Sequence, residues 1–131
     1  MMNERRSRRT ARGILDNITI PASVSKIEVR AFYGCSNLKS IEIPSGITEL
    51  SSYIFCQCTS LAEVKLPSSL HEIKDNAFNQ CTALVNTDFL PENLTKINSR
   101  AFYYCKGLTS IYIPASVTTI GNEAFYGCTD R

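Results

Sequence analysis

Six cysteines, one histidine and twelve carboxylates are the groups of this 131-residue chain most able to do chemistry, and their spacing decides what kind. Cys35, Cys58, Cys81, Cys105 and Cys128 recur at intervals of 23, 23, 24 and 23 residues, and Cys56 stands outside the series. Six thiols in a small chain invite a disulfide framework. The fixed period argues against one: equivalent cysteines on successive units come within bonding distance, but their side chains run parallel, which is poor disulfide geometry. They read instead as small apolar core residues. Cys56, in Cys56-Gln57-Cys58, reads as outward-facing, either a reactive or crosslinking thiol or a tolerated one. Zinc takes about four converging ligands. The single histidine, His71, aligns with Ser25, Thr48, Thr95 and Thr118 at an exposed position, so no metal or other cofactor is expected. No phosphate loop, nucleophile elbow or zincin motif occurs. Glu42, Glu63 and Asp88 could bring carboxylates together, but an open face offers no dry pocket to shift their pKa values. The chain is therefore not expected to be an enzyme. Asn17-Ile18-Thr19 and Asn93-Leu94-Thr95 match glycosylation sequons, which matter only in a secretory pathway that the N-terminus does not support.

The elements that position these groups follow from the same period. All five prolines, Pro21, Pro44, Pro67, Pro91 and Pro114, keep the cysteine intervals, as do Phe32, Phe55, Phe78, Phe102 and Phe125. Three residue types on one register define a repeat of about 23 residues, I-x-I-P-x-x-V-x-x-I-x-x-x-A-F-x-x-C-x-x-L-x-x, and internal repeats fix the architecture before any local reading. The units run 18–40, 41–63, 64–86, 87–110 and 111–131, with one extra residue in the fourth, inside DFLPENLTKI, where a local bulge is expected. Ile41 and Ile43 alternate with Glu42, the period of a strand with one buried face. Proline lacks a backbone donor, so each one marks the chain leaving the sheet. Val24 and Ile27 again put apolar residues on one side, and A-F-x-x-C suits a short helical or irregular turn. A 23-residue coil cannot bury its own apolar side, whereas stacked coils build one continuous core. The fold class is a β-rich α/β repeat solenoid with parallel strands, residues 14–131, preceded by a basic arm or partial cap, residues 1–13.

The segments Leu38-x-x-Ile41-x-Ile43, Leu61-x-x-Val64-x-Leu66 and Leu108-x-x-Ile111-x-Ile113 are similar to the L-x-x-L-x-L stretch of leucine-rich repeats, and IPASVTTIGNEAFYGCT resembles the BspA-like class of that family. The resemblance spans residues 15–129, with Thr87 in place of an aliphatic strand residue and Tyr53-Ile54 in place of Asn-Ala or Arg-Ala as its local departures. It implies a curved, right-handed array with its parallel sheet on the concave side, used for protein recognition or adhesion rather than catalysis.

Three surfaces are candidates for a partner. The strand positions between apolar residues point outward and line the sheet face: Asn17, Thr19, Ser40, Glu42, Glu63, Lys65, Asn86, Asp88, Ser110 and Tyr112. They differ from unit to unit, as a recognition surface grafted on a fixed scaffold would, or as exposed positions that simply drift. The residue after each phenylalanine gives Tyr33, Cys56, Asn79, Tyr103 and Tyr126, with Tyr104 beside them; tyrosine suits interfaces, and equally these rings can pack over the turns of their own repeats. The arm carries Arg5, Arg6, Arg8, Arg9 and Arg12 against Glu4, a charge of +4, so the +2 of the whole chain hides an array of −2. Such an arm caps the first coil or binds nucleic acid, an acidic membrane or an acidic protein, and the lack of interleaved aromatics disfavours nucleic acid.

Composition narrows the rest. With 44% hydrophobic and 20% charged residues, and no apolar run near the roughly 20 that a spanning helix needs, neither disorder nor a transmembrane helix is expected. The basic start has no apolar h-region after it, which points to a cytoplasmic place, the alternative being the cell surface or delivery into another cell. The last coil ends without a polar cap, so end-to-end association, a docked partner or a longer array is expected there. The function expected is a non-enzymatic module that binds a protein through the concave sheet face, as scaffold, adhesin or small inhibitor or effector. A self-assembling array through the C-terminal coil, or nucleic-acid binding by the arm, are the alternatives.

Overall fold

The computed structural model describes residues 17–128. Each coil passes through three ladders, and each ladder is built from one stretch of the repeat. The first is a parallel sheet of β1 (Asn17–Ile18), β2 (Ser40–Glu42) and β4 (Glu63–Lys65), in that order. Its register is the repeat itself: Asn17 lies beside Ser40 and Ser40 beside Glu63, Ile18 beside Ile41 and Ile41 beside Val64, Glu42 beside Lys65. Alternation places Ile41, Ile43 and Val64 in the core and leaves Glu42, Glu63 and Lys65 in solvent.

Proline then closes a tight turn. The carbonyls of Pro21, Pro44, Pro67, Pro91 and Pro114 accept the N–H three residues on, from Val24, Ile47, Leu70, Leu94 and Val117, at 3.0–3.1 Å. The turn needs the proline carbonyl and not its missing N–H, so the residue ends the strand without leaving an orphan group. Beyond the turn lies a second parallel sheet, which the sequence showed only as one-sided apolar spacing: β3 (Glu49–Leu50), β5 (Glu72–Ile73), β6 (Lys96–Ile97) and β7 (Thr119–Ile120). Leu50, Ile73 and Ile97 stack through its inner face.

The third ladder is the A-F-x-x-C segment, which forms irregular turns; no helix occurs among the described residues. Alternate N–H groups of one coil donate to carbonyls of the next: Arg30 to Ser52, Phe32 to Ile54, Gly34 to Cys56 at 2.8–3.0 Å, and the same column runs on to Tyr104 donating to Tyr126 at 2.7 Å. To aim them this way the chain adopts positive φ twice per coil, at Arg30, Tyr53, Asn76, Arg100 and Glu123 and again at Gly34, Gln57, Gln80, Tyr104 and Gly127. Most of these are not glycine, so each stores about 1–2 kcal/mol that the hydrogen-bonded column must outweigh.

Inside, the phenylalanines form one stack, Phe32, Phe55, Phe78, Phe102 and Phe125, with ring centroids 5.1–5.8 Å apart. The cysteines sit beside it as free thiols, and their geometry gives them a definite task. The S–H of Cys58 donates to the carbonyl of Phe32, Cys81 to Phe55, Cys105 to Phe78 and Cys128 to Phe102, at 3.0–3.3 Å. These four thiols each tie their coil to the phenylalanine of the coil before. Burial also keeps the Cys81 and Cys105 thiols well above their ordinary pKa, and the hydrogen bond with Cys35, then burial, does the same for Cys58.

Two expectations need correction. Cys56 does not face outward: it is 3% exposed, and burial raises its pKa against the opposing hydrogen bond with Tyr33, so it is not a ready nucleophile or crosslinker. The extra residue of the fourth unit does more than bulge a turn, because the first sheet stops at β4. Thr87, at a strand position, is fully buried and turns its hydroxyl onto the next coil, where Oγ1 donates to the Tyr112 carbonyl and accepts from the Tyr112 N–H, both at 2.7 Å. Asn86 Oδ1 accepts the Asp88 N–H at 2.9 Å in a local turn, and Phe89 leans between Phe78 and Phe102. This side-chain pairing adds to a backbone bond just before it in sequence, from the Thr109 N–H to the Val85 carbonyl at 2.9 Å.

Candidate functional site

The outward positions of the first sheet converge on an open groove of about 810 Å³. Strand register arranges them in two rows. Asn17, Ser40 and Glu63 lie side by side on β1, β2 and β4, and Glu42 lies beside Lys65, with Thr19 following β1 in the same groove. Asn17, Thr19, Glu42, Glu63 and Lys65 are exposed and Ser40 is half-buried. Next to them, along the proline turns, Ile20, Pro44, Leu66 and Pro67 form a half-buried apolar shelf. The sequence reading did not include this shelf, although the proline period was its signal. Among the described residues the ion pairs are Lys74 with Glu49 at 3.5 Å and Arg100 with Glu123 at 2.8 Å, both away from the groove. The carboxylates and ammonium of the groove are thus left to solvent or to a partner, and Glu42 and Glu63 against Lys65 give it a net charge of −1.

The remaining sheet-face candidates fall elsewhere. Asp88, Ser110 and Tyr112 are exposed and Asn86 is half-buried, but none lines the groove, because the ladder ends before them. Tyr112 instead donates its hydroxyl to Glu92 at 2.6 Å, which holds its phenol above the ordinary pKa. Sequence spacing gave no hint of Glu92 as the partner of Tyr112.

The tyrosines pack mainly across coils rather than over their own turns. Tyr103 stacks on Tyr126 at 5.5 Å with Tyr104 edge-on to both, and Tyr33 meets Tyr53 at 6.2 Å. Arg30, Arg100 and Lys106 lie over the rings of Tyr53, Tyr103 and Tyr104 at 4.6, 5.2 and 5.6 Å, so their cations are engaged within the chain. Tyr33 and Tyr103 are half-buried and Tyr126 is exposed. Arg5, Arg6, Arg8, Arg9 and Arg12 lie outside the described residues. His71 is exposed, and among the described residues no group of three or more His, Cys, Asp or Glu is placed to hold a metal ion. No described helix is long and apolar enough to cross a membrane.

Known proteins resemble this architecture closely. A leucine-rich repeat protein from Bacteroides ovatus is 40% identical with a TM-score of 0.71, over 76% of this chain and 25% of that one. The T. pallidum leucine rich repeat protein is 32% identical with a TM-score of 0.75, over 81% of this chain and 51% of that one. A leucine-rich repeat protein from Eubacterium ventriosum is 29% identical with a TM-score of 0.66, over 90% and 38%. The chain therefore spans between a quarter and a half of the length of these proteins. No curated protein matches it. The BspA type leucine rich repeat region matches residues 11–130 in six copies, one more than the five units counted from the prolines. With that match and the shared coil geometry, the chain belongs to the BspA type leucine-rich repeat family.

Proposed function

We propose that this chain is a non-catalytic module that binds a protein partner in the groove over β1, β2 and β4, as a scaffold, an adhesin or a small inhibitor or effector. Leucine-rich repeat proteins are generally protein-interaction modules, and solenoids bind through extended sheet surfaces. The observation that carries the reading is the groove itself: polar side chains of differing type, held in fixed register and outside the ion pairs among the described residues, beside an apolar shelf. An interface needs that combination of an apolar patch and unspent polar groups. The test is affinity capture from the native host or its contact cell with the wild-type chain and with a Ser40→Ala, Glu42→Ala, Glu63→Ala, Lys65→Ala variant. A partner held by the wild type and lost by the variant supports the reading; equal retention by both removes it.

A second reading, self-assembly through the fifth coil, is favoured by one observation. Ile120 is 50% exposed, whereas its equivalents Leu50, Ile73 and Ile97 are fully buried. Sedimentation that shows a strict monomer over a wide concentration range excludes it.

A further inference from the structure

We infer that the partner segment recognised in the groove is extended and carries an arginine, taken by Glu63 with Ser40 beside it, with an apolar residue about three positions away on the proline shelf. This rests on the sheet-face reading above and names its ligand chemistry.

The two rows of the groove differ in charge balance. Glu42 and Lys65 are direct neighbours in register, so their charges offset each other across adjacent strands. Glu63 has Ser40 as its neighbour, and no ion pair among the described residues includes it. Ser40 and Glu63 therefore place a hydroxyl beside a carboxylate that no ion pair among the described residues includes, about 4.8 Å apart across the sheet. A pair of acceptors that includes a carboxylate suits a planar guanidinium, whose five donors form a fork and pair bidentately with a carboxylate. A lysine ammonium would meet Glu63 as a point charge and leave the pair's geometry unused.

The shelf sets the second contact. From Glu63 to Leu66 is three residues along the chain, about 10 Å of strand, and Leu66 lies with Ile20, Pro44 and Pro67 at that end of the groove. One basic residue for Glu63 and one apolar residue for the shelf are thus the complement of the groove.

The probe is the peptide acetyl-Gly-Arg-Ser-Gly-Leu-Gly-amide, titrated into the ¹⁵N-labelled full chain, beside an analogue with citrulline for arginine. The expected result is shifts of the Ser40, Glu63 and Leu66 amides, with the citrulline peptide binding about tenfold more weakly for loss of one charge-assisted pair. Glu63→Gln, whose unchanged spectrum elsewhere reports intact folding, lowers the arginine peptide to the citrulline level, while Glu123→Gln leaves it unaltered. Equal binding of the two peptides, or shifts confined to residues outside the groove, overturns the inference. A full-length variant with Arg5, Arg6, Arg8, Arg9 and Arg12 changed to Ser that binds the peptide far more tightly than the wild type also overturns it, since the arm's own arginines are then the occupant. Loss of a captured protein by the fourfold groove variant but not by Glu63→Gln sinks the arginine assignment and leaves the sheet-face reading standing.

Discussion

A buried thiol that donates to the carbonyl of the preceding coil explains why cysteine, rather than alanine or serine, recurs at the end of each A-F-x-x-C turn. Alanine would leave a void and no donor, and serine would bring a more polar group into a site lined by phenylalanine rings. The thiol is small, apolar and a weak donor at once. Two outcomes follow at this scale. In the native protein, Ellman's reagent labels none of the six cysteines, Cys56 included, and all six react once urea unfolds the chain; rapid native labelling of one thiol contradicts the burial of Cys56. The folded state also holds the Cys58, Cys81 and Cys105 pKa values above the ordinary 9.0. A raised folded pKa gives stability that is complete below the unfolded value and is lost as pH climbs past it. The unfolding free energy, and the urea midpoint with it, is therefore level from pH 7 to about 8.5 and falls above 9, the free energy by roughly 1 kcal/mol per thiol for each pH unit. A midpoint unchanged at pH 10 would show that these thiols ionise freely in the folded state.

Individual elements owe their shape to stacking more than to local preference, and this set what could be read from sequence. Proline, cysteine and phenylalanine periods were legible because each is a side-chain identity that packing requires at one place per coil. The positive-φ series was not, because Arg30, Tyr53, Asn76, Arg100 and Glu123 share no side-chain type; the column of backbone bonds between coils, not the residue, imposes their conformation. Cys56 was misplaced for the same reason, since in-out alternation holds in a strand and fails in a turn with left-handed residues on either side, here Tyr53 and Gln57. In the groove, Thr19, Ser40, Glu42, Glu63 and Lys65 were legible from alternation, whereas the loss of Asn86, Asp88, Ser110 and Tyr112 goes with the first sheet ending at β4, beyond which the Thr87 hydroxyl pairs with Tyr112. Thr87→Val removes that hydroxyl at nearly constant volume and leaves the Tyr112 N–H and carbonyl unpaired. It should cost about 1–3 kcal/mol by urea denaturation; a neutral result would mean that backbone pairing re-forms between the fourth and fifth coils. Gly107 lies at a tight approach between the third and fourth coils. It stands where other coils carry Asn37, Ser60 and Ala83, and a Cβ there would lie 2.3 Å from the Thr82 carbonyl oxygen, whereas at Gly46 the nearest atom is at 3.2 Å. Gly107→Ala is expected to destabilise by about 1–3 kcal/mol and Gly46→Ala by much less.

At the scale of the whole molecule, each coil touches only its neighbours, so stability is a sum of coil terms and interface terms, and position in the stack decides what a substitution does. Ile73 and Ile120 are the same residue of the repeat in the third and fifth coils, both on the second sheet, yet Ile73 is fully buried and Ile120 is half exposed. Ile73→Ala removes apolar volume from the interfaces on both of its sides and is expected to cost about 2–5 kcal/mol. Ile120→Ala touches one interface and is expected to stay below about 1 kcal/mol. The first change should also loosen the groove, because β4 precedes Ile73 within the same coil and Leu66 belongs to its shelf. The second should leave the groove intact, since it lies on the first three coils. Hydrogen exchange separates the two cases: Ile73→Ala lowers protection at Ser40 and Glu63 along with the rest of the array, and Ile120→Ala lowers it only around Thr119 and Gly121. Equal loss from both variants would mean that the five coils unfold as one unit, and the end coil would then be as much a part of the groove's support as the third.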